Sequence, residues 1–244
     1  MDAKHQFRVA YGVLALAFWL SVAGFIVLLT RQHHEAQIRW STWKPAAQGL
    51  LGAHEIAQRL APTYRTQNGT QLVAVQEALP YYNGYRVAAI GVRRLNQNGQ
   101  LDPYIGLFGT NRTLVYSFCG LQASCSPDGT TSVRQRALRR EALELSLYAF
   151  KYLRNVDQVV SLVQTVKDGG TSAIFLRKHD LKPELEHPLR DTLPLRTPPV
   201  TGADRREGAV IDALTLRNTF PAHYEALPGG DAILVLDVAA QGAS

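Results

Sequence analysis

Residues 131–154 read TSVRQRALRREALELSLYAFKYLR, the longest helical pattern after the N-terminal apolar segment. Apolar residues recur along it every three or four positions: Leu138, Ala142, Leu145, Ala149 and Tyr152. This spacing places them on one face of an α-helix. Leu143, Leu147 and Phe150 widen that face, so we expect the helix to pack across a sheet, with Leu145 in the core.

Short runs of β-forming residues lie on both sides of this helix. The sequence predicts strands over 85–92, 104–108, 113–118, 156–166, 172–176 and 232–238, and further helices over 46–61, 181–193 and 209–216. The first three strands are joined by turns too short for a parallel crossover, which predicts an antiparallel meander. The predicted fold class is therefore α+β. Residues 46–244 would form one domain with a mostly antiparallel sheet packed on a long helix.

An apolar stretch near the N-terminus predicts a membrane anchor. Residues 9–30 read VAYGVLALAFWLSVAGFIVLLT, in which Tyr11 is the only ionisable side chain. As a helix it would span about 33 Å, close to a hydrocarbon core of about 30 Å. We therefore predict a transmembrane signal-anchor helix over 9–30, after a short basic tail (1–8) and before a juxtamembrane segment (31–45). A cleaved signal peptide is the weaker alternative, because the apolar run continues past residue 23.

The two cysteines, Cys119 and Cys125, bear on the orientation of this anchor. They are separated by a short loop, which predicts a disulfide and hence an extracytoplasmic domain. A redox-active pair would more often show the Cys-X-X-Cys spacing. The basic charges on the two sides of the apolar segment are nearly balanced. The sequence therefore predicts a single-pass protein of the cell membrane, with a cytoplasmic N-terminus and the domain outside.

The charge of the chain is moderately basic. There are 26 Lys and Arg residues against 20 Asp and Glu residues, a net charge of +6, but they are scattered, so no nucleic-acid partner is expected. The densest basic cluster lies in the first turns of the long helix: Arg134, Arg136, Arg139 and Arg140. This cluster is a candidate patch for anionic headgroups or an acidic partner. Alternatively it is an exposed, salt-linked helix face, in which Arg140 and Glu144 pair at i,i+4.

No motif for catalysis, metal binding or a cofactor stands out. His54–Glu55 and His179–Asp180 could act in acid–base chemistry, but surface helices commonly offer such pairs. The adjacent histidines 33 and 34 point in different directions on a helix, which disfavours one shared metal. Residues 41–44 match a Ser-X-X-Lys pattern without its companion motifs. We therefore predict no cofactor and no metal site, and we identify no catalytic residue.

These observations favour a non-catalytic envelope protein, anchored in the lipid bilayer through residues 9–30. Its domain would bind another envelope protein or anionic headgroups and serve in partner binding or assembly. The alternative is a membrane-tethered envelope hydrolase, whose active-site residues are scattered in sequence and meet only on folding. The two hypotheses differ in one observable feature. An enzyme should show a deep pocket with converging titratable groups, and a binding module should show an exposed apolar or charged patch instead.

Overall fold

The centre of the fold is a strand–helix–strand unit made of β5 (Thr113–Cys119), α3 (Ser132–Tyr152) and β6 (Gln158–Gln164). The computed structural model describes residues 17–26, 39–66, 68–95, 98, 100, 102–119, 132–164, 170–194 and 205–238. The chain forms two compact units, Met1–Thr42 and Trp43–Ser244. All β-strands described below belong to the second unit.

Strands β5 and β6 are parallel neighbours, with Thr113 opposite Gln158 and Phe118 opposite Val163. They can run in the same direction because α3 and its flanking segments return the chain along the sheet. The helix lies against β6 and β7 (Thr171–Arg177) and contacts the two helices α2 (Gly49–Leu60) and α6 (Arg205–Thr215). Because α3 has neighbours on several sides, most of its second half is buried. Leu145 is 0% exposed, which confirms its predicted place in the core.

The sheet contains nine strands among the described residues, in the order β1-β5-β6-β7-β8-β9-β3-β2, with β4 beside β3. The remaining strands are β1 (Ala74–Ala78), β2 (Tyr81–Tyr82), β3 (Tyr85–Val92), β4 (Gly106–Gly109), β8 (Thr219–Ala226) and β9 (Ala232–Leu236). Strands β3 and β9 form a second parallel pair. The other paired strands are antiparallel.

This sheet curls into a nearly closed barrel. Its two end strands, β1 and β2, are consecutive in the chain and are joined only by Leu79 and Pro80. A linker this short forces the two ends of the sheet to lie close together. The described residues show no pairing between β1 and β2, so a seam remains there.

Inward-facing apolar side chains fill the middle of the barrel. Bulky aromatic and branched residues dominate this core, as in other small barrels whose interior is packed. Its buried members are Val87, Ile90, Val92, Val115, Val160, Ala173, Phe175, Phe220, Ala222, Ala232, Leu234 and Leu236.

Helices cover part of the outer surface of the barrel. Helix α2 (Gly49–Leu60) packs on β1 and on α3, and α6 (Arg205–Thr215) packs on α3. Two short helices, α4 (Lys182–Glu186) and α5 (Leu189–Thr192), lie between β7 and α6 in the chain. A side chain at Gly52 would contact the carbonyl oxygen of Ala47 at 2.5 Å, so α2 is packed closely at this point.

The predicted fold class is wrong on two points. First, among the described residues no helix is long and apolar enough to cross a membrane. The described part of the N-terminal helix, α1, covers 17–26, and the rest of the predicted span 9–30 lies outside the described residues. Second, the sheet curls into a nearly closed barrel with two parallel strand pairs, instead of packing as a sheet on one long helix; its other strand pairs are antiparallel, as predicted. The predicted meander fails because β5 pairs with β1 and β6, not with β4.

Most individual elements agree with the sequence patterns. Strand β3 has the predicted bounds, and α3 begins and ends within two residues of its prediction. The predicted helix over 181–193 is divided into α4 and α5. Three strands were not predicted: β1, β2 and β8. The sequence of β1, AVQEA, contains few β-forming residues, and β8 contains Pro221, which cannot donate a ladder hydrogen bond.

Candidate functional site

The four arginines proposed as an anion-binding patch form hydrogen bonds or ion pairs with other residues of the protein. Arg136 and Arg139 both contact Asp212 on α6, with N–O distances of 2.8 and 2.7 Å. The hydrogen bond from Arg136 is the main cause that lowers the pKa of Asp212. Arg134 donates a hydrogen bond to the backbone oxygen of Leu72 at 3.1 Å. Binding of an external anion to this cluster stays a prediction, but these contacts reduce the number of donors available for it.

Arg140 is the centre of a buried polar cluster, and its side chain is only 2% exposed. Its guanidinium donates to Glu207 at 2.5 Å, and the predicted ion pair with Glu144 is confirmed at 3.1 Å. It also donates to the Tyr64 hydroxyl and lies over the Tyr64 ring, 5.4 Å from its centroid. The Tyr64 hydroxyl donates in turn to Glu144. The cluster thus links α3 to α6 and to the segment that follows α2.

Glu141, next to Arg140 in the chain, is 0% exposed. Neither of its carboxylate oxygens has a hydrogen-bond partner among the described residues. Burial is the main cause that raises its pKa well above the ordinary value of 4.5, and the charge of Glu144 adds to this effect. The carboxylate has no exposed surface from which to contact a substrate. We therefore interpret it as a source of pH-dependent stability instead of a catalytic group.

A cavity of about 700 Å³ opens at one end of the barrel. We call it the tyrosine cavity. It lies where β5 and β6 end and β7 begins, and its wall includes residues of β1, β2, β5, β6, β7 and β8. The core cluster closes its inner side, since Val115, Leu162 and Ala222 belong to both.

Three polar residues face into this cavity, as strand alternation shows. Ser117 lies two positions after the core residue Val115, and Thr171 lies two positions before the core residue Ala173. Because successive side chains of a strand point to opposite faces, residues two apart share a face. By the same argument Gln76 shares the inner face with Ala78. The cavity therefore combines an apolar floor with two hydroxyl groups and one amide.

Two stacked tyrosines form part of the wall. The rings of Tyr82 and Tyr224 are nearly parallel, with an interplanar angle of 10° and centroids 4.0 Å apart. Burial, with a smaller contribution from Tyr82, raises the pKa of Tyr224 above its ordinary value of 10.0. Tyr224 is therefore neutral at physiological pH. Tyr82 is brought to this place by a turn at Asn83–Gly84, where both residues have positive φ.

The described lining of the tyrosine cavity contains no Asp, Glu, Lys or Arg residue. His223 borders the cavity, but its neighbours Ala222 and Tyr224 face inward, so its ring lies on the outer face. There it approaches Glu225 at 3.1 Å and Asp237 at 3.4 Å. The described wall is thus uncharged, in a chain with 46 charged residues, 26 basic and 20 acidic.

The other sequence candidates lie apart from this cavity. His54 contacts Glu77 at 2.8 Å instead of acting with Glu55, and His179 approaches Asp180 at 3.6 Å with a side chain that is 94% exposed. The histidines at 33 and 34 lie outside the described residues. Within the described ranges, no group of three or more His, Cys, Asp and Glu residues could hold a metal ion.

The disulfide prediction is not supported by the structure. Cys119 ends β5 and borders the tyrosine cavity, whereas Cys125 lies outside the described residues. In the described part of the chain no two cysteines stand at disulfide distance. The structure therefore gives no disulfide that would support an extracytoplasmic orientation of the domain.

Apart from Cys119, which was predicted in a disulfide, the sequence did not single out the residues of the tyrosine cavity. Ser117, Thr171 and Gln76 are isolated polar residues in strands, and no local pattern distinguishes them. One usable signal was present: Tyr82-Asn83-Gly84-Tyr85 has the Asn-Gly step of a two-residue hairpin. Comparison of the chain with protein-family models, with curated proteins and with solved structures finds no match.

Proposed function

We propose that residues 43–244 form a non-catalytic binding domain, whose tyrosine cavity takes a neutral ligand with an apolar, ring-containing group. The observation that carries this proposal is the combination of a cavity of about 700 Å³ and a described lining without charged side chains. Small-molecule sites commonly have volumes of about 300–1,000 Å³, apolar walls and a few polar groups. The extracytoplasmic location inferred from the sequence stays a prediction, and the binding proposal does not depend on it.

The chemistry of the lining defines the ligand. A charged ligand group would lose its hydration in this cavity without gaining a counter-ion from the described wall, which is costly. A ring would gain contact with Tyr82 and Tyr224, because aromatic rings attract one another when offset or edge-on. Ser117, Thr171 and Gln76 offer hydrogen bonds to one or two neutral polar groups on the same ligand.

The lining favours binding over the alternative hydrolase. A hydrolytic site needs a group that activates water or a nucleophile, most often a histidine or a carboxylate. The described wall offers hydroxyl, amide and thiol groups, and the ring of His223 lies on the other face of β8. The carboxylates of Glu144 and Glu207 are held in the Arg140 cluster instead.

Binding of N-phenyl-1-naphthylamine, a neutral aromatic fluorophore, tests this proposal. We expect saturable binding with one site per chain. Ser117→Phe should abolish it by filling the cavity, and Tyr224→Ala should weaken it. Tyr104→Ala is the matched control, because Tyr104 is 82% exposed and lies outside the cavity lining. No saturable binding, or equal affinity in the Ser117→Phe variant, would overturn the proposal.

A second assay distinguishes the hydrolase. The full-length protein is incubated with p-nitrophenyl acetate, and release of p-nitrophenol is followed. Turnover that disappears in a Ser117→Ala variant would favour hydrolysis at this cavity. We expect no turnover that depends on Ser117.

A further inference from the structure

A second cavity, of about 450 Å³, lies where β3 and β9 end and β8 begins. We call it the arginine cavity. Strands β3 and β9 are parallel, and β8 runs antiparallel to β9. Because β6–β7, β7–β8 and β8–β9 are antiparallel pairs, β9 and its parallel neighbour β3 end at the opposite end of the barrel from β6, at whose end the tyrosine cavity opens. Three arginines line it: Arg93 and Arg94 directly after β3, and Arg217 in the turn before β8.

Among the described residues, two of these arginines have no counter-ion. Arg93 pairs with Asp237 at 3.4 Å. The side chains of Arg94 and Arg217 make no hydrogen bond or ion pair within the described part of the chain. The amide of Asp102 donates to the backbone oxygen of Arg94 at 2.8 Å, but the Asp102 carboxylate accepts from the amide of Tyr104. The described lining thus carries three guanidinium groups and no Asp or Glu of its own.

Two other arginines at the ends of barrel strands do have partners: Arg112 directly before β5 and Arg177 at the end of β7. Arg112 contacts Asp157 at 2.9 Å, and Arg177 contacts Asp180 at 2.7 Å. An arginine without a partner keeps all of its donors for water or for a ligand. Arg94 and Arg217 therefore offer an external anion the paired, planar hydrogen bonds that guanidinium groups form with carboxylates and phosphates.

The remaining described wall of the arginine cavity is apolar except for Thr219, whose hydroxyl donates to the backbone oxygen of Thr215 at 2.8 Å. Leu216 is 54% exposed and Leu95 is 36% exposed, which is high for large apolar side chains. Phe220 and Val238 complete this side, and Phe220 also belongs to the barrel core. Positive charge and exposed apolar surface therefore adjoin in one cavity.

We propose that the arginine cavity binds a small anionic amphiphile, in which a phosphate or carboxylate group is joined to an apolar chain. The anionic group contacts Arg94 and Arg217, and the chain covers Leu216 and Leu95. This inference is independent of the ligand proposed for the tyrosine cavity. A free inorganic anion would offer the same anionic group, and the test distinguishes it from an amphiphile.

The test is calorimetric titration of the full-length protein with octyl phosphate, inorganic phosphate and octanol. We expect octyl phosphate to bind more tightly than either of the other two, and its affinity to fall with added salt. A variant with Arg94→Gln and Arg217→Gln should lose at least about tenfold in affinity, because it lacks two charge-assisted contacts. Arg94→Lys with Arg217→Lys keeps the charge and should lose less.

The matched control carries Arg59→Gln and Arg154→Gln, which changes the net charge equally at two sites outside the cavity. We expect it to bind octyl phosphate as the unaltered protein does. An equal loss in the control would overturn the site, since general charge attraction would then explain the binding. If octanol bound as tightly as octyl phosphate, the proposed role of the anionic group would be overturned. If inorganic phosphate bound as tightly, the proposed role of the apolar chain would be overturned. Ser117→Phe should leave octyl phosphate binding unchanged, which separates this result from that of the tyrosine cavity.

Discussion

Replacing Glu141 by methionine should stabilise the protein, and the gain should grow as the pH rises. Glu141 is 0% exposed, and neither carboxylate oxygen has a partner within the described residues. A buried polar group without a partner costs about 1–3 kcal/mol. Methionine has a similar length and no polar group to satisfy, so Glu141→Met should recover about that amount near neutral pH.

The pH dependence follows from the direction of the pKa shift. Burial raises the pKa of Glu141 above its ordinary value of 4.5, so the folded protein keeps a proton that the unfolded chain releases. The stability linked to that proton is fully present below 4.5 and is lost as the pH rises through the folded pKa. Over that window one such group changes the free energy of unfolding by up to about 1.4 kcal/mol per pH unit. The methionine variant lacks this dependence.

The measurement is urea unfolding, followed by circular dichroism, at about pH 5 and about pH 7. The free-energy difference between Glu141→Met and the unaltered protein should be larger at the higher pH. Burial also raises the pKa of Glu144, but this residue is present in both proteins, so its contribution largely cancels. Glu186→Met is the control, because the Glu186 side chain is 61% exposed. A difference that is constant with pH, or a destabilised Glu141→Met variant, would refute the reasoning.

Three further variants test the packing by the same unfolding measurement. Leu145→Ala should cost about 2–5 kcal/mol, since it leaves a cavity in the core; an unchanged midpoint would contradict its burial. Arg140→Met should cost about 3–5 kcal/mol, because it leaves Glu207 buried without its partner; a loss below about 1 kcal/mol would mean that the cluster contributes little. Gly52→Ala should destabilise by about 1–3 kcal/mol, because the added Cβ would approach Leu153 Cδ2 at 2.6 Å. A gain, as at an open helix position, would show that α2 can shift.

Only part of the arginine cluster on α3 could be predicted from the sequence. The i,i+4 pairing of Arg140 with Glu144 could be predicted, because it depends only on helix geometry. The burial of Arg140 could not. Its other carboxylate partner, Glu207, is 67 positions away in the chain, and Asp212, which holds Arg136, is 76 positions away. An exposed basic patch and a buried polar cluster have the same sequence pattern until the position of α6 is known.

The tyrosine cavity could not be predicted from the sequence for a similar reason. Its wall combines residues from six strands, which are spread along the chain from β1 (Ala74–Ala78) to β8 (Thr219–Ala226). Tyr82 meets Tyr224 although β2 and β8 are separated in the sheet by β3 and β9, so their contact depends on how the sheet curls. Isolated residues such as Ser117 become part of the cavity wall because the sheet curls into a barrel, and their neighbours in sequence do not indicate this position.

The sequence by itself determined the local elements of this protein. The spacing of apolar residues predicted α3 and the core position of Leu145, and β-forming composition predicted β3 with its bounds. These signals are local, since a helix or a strand repeats its faces every few residues. Only the tertiary structure decided that β5 pairs with β6 in parallel, that β3 meets β9 across most of the chain, and that the sheet curls into a barrel. Strand pairing depends on contacts between distant segments, and many partners satisfy the same local pattern.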